Sequence, residues 1–136
     1  MTAEPPQGAT ALLATMPFAV ALGIQLTVAD STEVRATLAW AADRCTAAGV
    51  LHGGALMSLA DSVGAVCAFL NLPSGASTST IESKTNFFRA VRDGHVEAIA
   101  RPLHVGRTVI VVQTDLVDPG GRRVGQTTQT QAVLAR

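Results

Sequence analysis

Charge is what this sequence has least of. Only 15% of its 136 residues are Asp, Glu, Lys or Arg, the formal net charge is zero, and Lys84 is the one lysine among ten basic residues. With no basic run, no tyrosine and only 4% aromatic residues, the chain lacks the basic, aromatic-interleaved surface that nucleic acid requires, and none is expected as a partner. The two cysteines, Cys45 and Cys67, have no metal-ligand spacing, and Cys67 falls in an apolar, helix-like stretch. Both read as buried free thiols of a reducing cytoplasm rather than as a disulfide. The three histidines, at positions 52, 95 and 104, show no paired ligand spacing, so no metal is expected. P-loop and dinucleotide-binding fingerprints are missing too. No apolar run reaches the ~20 residues that span a bilayer. The apolar segment "ATALLATMPFAVALGI" lacks a basic start, and Glu4 and Pro17 argue against a signal peptide. The expectation is a cytoplasmic protein with no membrane partner.

What the chain has in quantity is apolar surface, at 48% of residues. Its length suits one domain over 1–136, with 1–8 as a loose tail, and its composition favours self-association. Residues 9–21 read as a short helix interrupted near Pro17. "GIQLTVAD" and "TEVRATLAW" read as two strands meeting at Asp30-Ser31, and "AADRCTAAGVLHGG" as a loop. From Gly53 to about Leu70, apolar residues recur at helical spacing with no broad polar face, which places this helix inside a domain. Four strand-like runs follow, broken at "RAVRDG", "HVGR" and "DPGGR". Two strands, one long helix and four hairpin-linked strands imply an α+β fold in which an antiparallel sheet curls around a central helix.

Chemistry concentrates in "GVLHGGALMSLADS". Between Cys45 and Ile81, Asp61 is the only formally charged residue. No basic residue lies three or four positions away to pair with it. Burying an unpaired carboxylate is costly, so Asp61 is expected to face a cleft, water or a partner chain. Gly53 and Gly54 open the helix, where backbone N–H groups are unpaired and carry partial positive charge. They serve the turn equally well, or let a substrate oxygen approach the backbone as in an oxyanion hole. Eight helical residues separate Gly53 from Asp61 by ~12 Å along the axis. If both act on one bond, Asp61 must come from a second, antiparallel subunit, giving a two-fold dimer with two composite sites.

His52 fits best as a residue that fixes the turn by a local hydrogen bond. A Ser/His/Asp triad using Ser58 or Ser62 lacks a nucleophile-elbow context. Arg89, Arg92, Arg107, Arg122 and Arg123 sit at strand ends and turns, as ordinary solvated surface does, and such positions also suit phosphate contacts.

On these residues, "GVLHGGALMSLADSVGAVCA" resembles the core motif of hotdog-fold acyl-CoA thioesterases of the phenylacetic-acid-degradation type, within the 4-hydroxybenzoyl-CoA thioesterase superfamily. "MPFAVALGIQL" and the strand region from "IESKTNFF" to "GQTTQT" are similar to the same family. The resemblance implies a hotdog fold, a long central helix wrapped by a curved antiparallel sheet of about six strands, in homodimers that often pair into homotetramers. It implies hydrolysis of an acyl-CoA thioester, with Asp61 as nucleophile or general base, the Gly53 N–H polarising the carbonyl and His52 shaping the turn. Coenzyme A, part of the substrate rather than a cofactor, would be met near Val105, Gly106 and Arg107, with Arg89 and Gly54 as further contacts. Many relatives carry an asparagine or glutamine seven residues before the first motif glycine; here Thr46 stands there, with a hydroxyl of shorter reach. Ala65, one turn past Asp61, offers no hydroxyl where some relatives have one. The alternative is a non-catalytic hotdog module that binds acyl-CoA or another apolar small molecule.

Overall fold

The computed structural model describes residues 7–135. Most of the tail expected over 1–8 lies outside them, while Gln7 and Gly8 already belong to the first helix. Two short helices, α1 (Gln7–Ala14) and α2 (Pro17–Leu22), precede the sheet. Pro17 separates them by opening α2, where its missing N–H costs nothing. Strands β1 (Gln25–Ala29) and β2 (Val34–Ala39) form the first hairpin. Its turn is closed by Asp30, whose Oδ1 accepts from the Thr32 hydroxyl (2.6 Å), the Thr32 N–H (2.8 Å) and the Glu33 N–H (3.0 Å). These bonds, led by the Thr32 hydroxyl, hold the Asp30 carboxyl below its usual range.

The central helix α3 runs Gly53–Phe69, and β3 (Ser77–Phe87), β4 (His95–Val105), β5 (Val109–Val117) and β6 (Arg123–Leu134) follow it. All pairings are antiparallel and the strand order is β1-β2-β4-β5-β6-β3. Consecutive hairpins explain β4, β5 and β6. Strand β3 crosses over to pair with β6, and among the described residues its other edge has no partner. Alternation sets the inner face: on β5 Ile110, Val112, Thr114 and Leu116 are buried, and their neighbours are half-buried. This face meets the nine buried residues of α3, which include Leu56, Leu59, Val63 and Val66. Four polar side chains, Thr114, Thr127, Gln129 and Gln131, share that interior.

Two expectations need correction. The helix is not enclosed all round, because Met57, Asp61 and Phe69, spaced by multiples of four, form an outward stripe beside β3. The segment before α3 is also more than an aperiodic loop. Two 3-10 turns (Ala42–Arg44 and Ala47–Gly49) and a Cys45–Leu51 bridge fold it into a compact corner, with Ala48 at φ 65°. No helix among the described residues is long and apolar enough to cross a membrane.

Both cysteines are free; Cys67 is buried and Cys45 is half-buried rather than buried. Burial pushes the Cys67 thiol up to about 11, so at neutral pH it is held as an inert thiol. A chromogenic thiol reagent at pH 8 is expected to label Cys45 readily and Cys67 only after denaturation.

Candidate active site

The start of α3 is built by its neighbours. The Leu51 N–H donates to Val91 O (2.8 Å) and the His52 N–H to Arg44 O (2.9 Å), which fix the entering chain. His52 is the N-cap, with Nδ1 accepting from the Gly54 N–H at 2.7 Å. An accepting Nδ1 places the ring proton on Nε2. The His52 carbonyl takes the N–H groups of Ala55 (2.9 Å) and Leu56 (3.2 Å). Of the first-turn donors, the Gly53 N–H is the one with no acceptor among the described residues, and Gly53 lines a groove. A Cβ on Gly53 would lie 3.2 Å from Phe87 Cζ, and one on Gly54 2.9 Å from His52 Nδ1. Glycine therefore lets the helix tip press against an aromatic ring and its own cap.

Two recesses flank this tip. A groove of ≈ 420 Å³ brings Thr46, Gly53 and Arg89 together with Leu56, Phe87 and Phe88. A second, of ≈ 240 Å³, is lined by Phe18, Leu22, Arg44, His52, Gly54 and Ser58, among others. Ser58 spends its hydroxyl on Gly54 O at 2.7 Å, which removes it from any triad with His52.

Asp61 is exposed, halfway along α3, and lines neither recess. Its Oδ1 lies 3.3 Å from Thr80 Oγ on β3 and 3.3 Å from Gln129 Nε2 on β6. Neither neighbour is evident from the sequence, whose only sign is a Thr/Gln run at 126–131 on a strand facing an apolar helix. Val105, Gly106 and Arg107 form the β4–β5 corner, with Val105 and Arg107 exposed and Gly106 half-buried. The strand registers put this corner at the end of the sheet where Ser77 pairs with Leu134, opposite the end where Phe87 pairs with Gly125. One chain therefore gathers His52, Gly53, Gly54, Thr46 and Arg89 at one end, holds Asp61 midway and carries residues 105–107 at the other.

A long helix laid across a curved antiparallel sheet in this order is the hotdog fold. The family model of the thioesterase superfamily matches residues 48–125, and the chain belongs to that superfamily. Over 86 residues it is 35% identical to 1,4-dihydroxy-2-naphthoyl-CoA hydrolase of Escherichia coli, covering 63% of each chain. It is 30% identical to the proofreading thioesterase EntH of Cronobacter turicensis over 83% of this chain and 82% of that one. The match to the Escherichia coli hydrolase thus spans somewhat under two thirds of that relative's length. Among solved structures, a mutant thioesterase from Pseudomonas aeruginosa superposes with a TM-score of 0.86 at 28% identity, over 98% of this chain and 96% of that one. A mutant of the phenylacetic acid degradation protein PaaI from Thermus thermophilus superposes with a TM-score of 0.78 at 28% identity, over 87% and 99%.

Replacing His52 by Ala removes the side-chain cap, and urea unfolding is expected to show a loss of about 1 kcal/mol. His52→Asn, which can still accept from the first turn, is expected to recover most of it.

Proposed function

We propose that this protein hydrolyses acyl-CoA or aryl-acyl-CoA thioesters to the free acid and coenzyme A, at sites shared between the two chains of a dimer. The observation that carries this reading is the separation of the Gly53 N–H from Asp61 along one rigid helix, in a chain that belongs to the thioesterase superfamily. The thioester carbonyl would accept from the Gly53 N–H at the positive end of α3, where charge develops in the tetrahedral intermediate. Asp61 of the partner subunit would then attack the carbonyl carbon, or take a proton from a water that does. Either way the C–S bond breaks, coenzyme A leaves as its thiol, and water supplies the new carboxyl oxygen.

The surface supports such a dimer. Strand β3 is eleven residues long with one unpaired edge, and Ile81, Met57 and Phe69 stand exposed beside it. Antiparallel pairing of β3 with its copy would continue the sheet and lay the two α3 helices side by side in opposite directions. Asp61 of one chain would then approach the Gly53 end of the other, and residues 105–107 of the first would come to the same end. Arg107 and Arg89 would face the phosphates of coenzyme A, and Phe87 and Phe88 would flank the groove at Gly53. Pairing of such dimers into tetramers fits the further exposed apolar residues Phe18, Val20 and Leu103.

Thr46 supports the alternative reading, a module that binds acyl-CoA without cleaving it, because its exposed hydroxyl has less reach than an amide. A panel of phenylacetyl-, hydroxybenzoyl- and aliphatic acyl-CoAs with free-thiol detection separates the two. Thiol release is expected, with Asp61→Asn lowering kcat by about 1,000-fold and leaving binding within about 3-fold. Binding without thiol release, or an Asp61→Asn variant with wild-type turnover, would sink the hydrolase reading.

A further inference from the structure

The interior beside Asp61 contains a side chain that packing alone does not explain. Gln129 is fully buried on β6, facing the apolar side of α3, where its strand neighbours at the same face are Thr127 and Gln131. Its amide nitrogen has two N–H groups, and two acceptors lie in reach: Asp61 Oδ1 at 3.3 Å and Gln131 Oε1 at 3.2 Å. Turning the amide over would set an oxygen against both acceptors, so these partners dictate its orientation. The consequence is that Gln129 Oε1 is buried with no hydrogen-bond partner among the described residues. That oxygen lies against Gly64, in the middle of α3, where any Cβ would collide with it. Glycine inside a helix is unfavourable relative to alanine. A leucine at 129 would bury no unpaired oxygen, yet the chain keeps the glutamine, and beside it the glycine that leaves it room, and so brings an N–H to Asp61.

Thr80 is the other neighbour of Asp61 Oδ1, but its single hydroxyl proton has a shorter partner in Gln131 Oε1 at 2.5 Å. Gln129 is therefore the donor that Asp61 can rely on. Both contacts fall on Oδ1, and Oδ2 has no side-chain partner among the described residues. Ala65 offers no hydroxyl on the helix itself, so the sheet supplies the contact.

We infer that Gln129, with Gly64 making room for it, is a positioning residue that holds the Asp61 carboxylate through Oδ1 and presents Oδ2 to the reacting group. This rests on the proposed role of Asp61. A carboxylate free to rotate would spend less time aimed at a carbonyl or water on a neighbouring chain, which lowers turnover more than binding. The test measures kcat and KM on the same acyl-CoA panel for Gln129→Leu, Gly64→Ala and the double variant, beside Asp61→Asn. Gln129→Leu is expected to lower kcat about 10- to 100-fold with KM within about 2-fold, and thermal unfolding no earlier than wild type. Gly64→Ala displaces the same amide without altering it, so it is expected to lower kcat similarly, and the double variant to be no worse than Gln129→Leu. If Gln129→Leu fails to fold, Gly64→Ala carries the comparison. Wild-type kcat in the folded variants beside an inactive Asp61→Asn overturns the positioning role alone. Turnover by Asp61→Asn overturns the reading of the site itself.

Discussion

Eight residues of α-helix hold the Gly53 N–H and the Asp61 carboxylate about 12 Å apart along one axis, and no side-chain rotation closes that gap. Both ends are anchored. The His52 cap and its carbonyl tie the first turn, and Asn71 Nδ2 donates to Cys67 O and Ser31 O at 2.9 Å, locking the far end to the β1–β2 turn. The helix behaves as a strut between a partial positive charge and a negative one. On the proposed reading, two such struts lying antiparallel turn an unusable separation into two sites.

The sheet serves this strut in two ways. Its apolar inner face buries one side of α3 and fixes the orientation of the helix, while its curvature leaves the Met57–Asp61–Phe69 stripe open beside the β3 edge. At the same place the interior turns polar, with Gln129, Gln131, Thr78 and Thr80 linked by hydrogen bonds that reach Asp61. Buried polar groups cost stability unless satisfied, and Gln129 Oε1 and Thr114 Oγ have no partner among the described residues. A polar seam ending at the one carboxylate of an otherwise uncharged segment is the pattern of a structure that gives up some packing for orientation.

Much of this architecture was legible in local pattern. Helical spacing from Leu56 to Leu70, alternation along Val109–Val112 and the turns at Asp30-Ser31 and "DPGGR" report short-range preferences, and the elements lie there with ends shifted by up to two residues. Recognition of the hotdog family from the "HGG" motif and Asp61 agrees with the match over residues 48–125. What could not be read depends on contacts distant in sequence. Met57 and Phe69 are large apolar residues of a helix whose sequence shows no broad polar face, yet both stand exposed beside β3. The corner before α3 relies on Ala48 at φ 65° and on Trp40 Nε1 donating to Gly49 O at 3.0 Å, which no propensity announces. The approach of Gln129 to Asp61 needs the β3–β6 register and the helix packing together. Gly64 could have given a hint, since glycine in mid-helix asks for a close neighbour.

A subunit-mixing experiment tests the shared site most directly. Gly53→Pro removes the donor at a helix position whose backbone tolerates proline, since the extended His52 before it (φ −62°, ψ 135°) suits that residue, although its Cβ, 3.2 Å from Phe87 Cζ, requires that ring to give by a few tenths of an ångström. The Gly53→Pro and Asp61→Asn proteins should each be inactive on the acyl-CoA panel. After chain exchange, half of the dimers are mixed and each holds one intact site, so activity is expected to return to about a quarter of wild type. Inactive mixtures, once exchange is verified by mass, would contradict a site built from two chains.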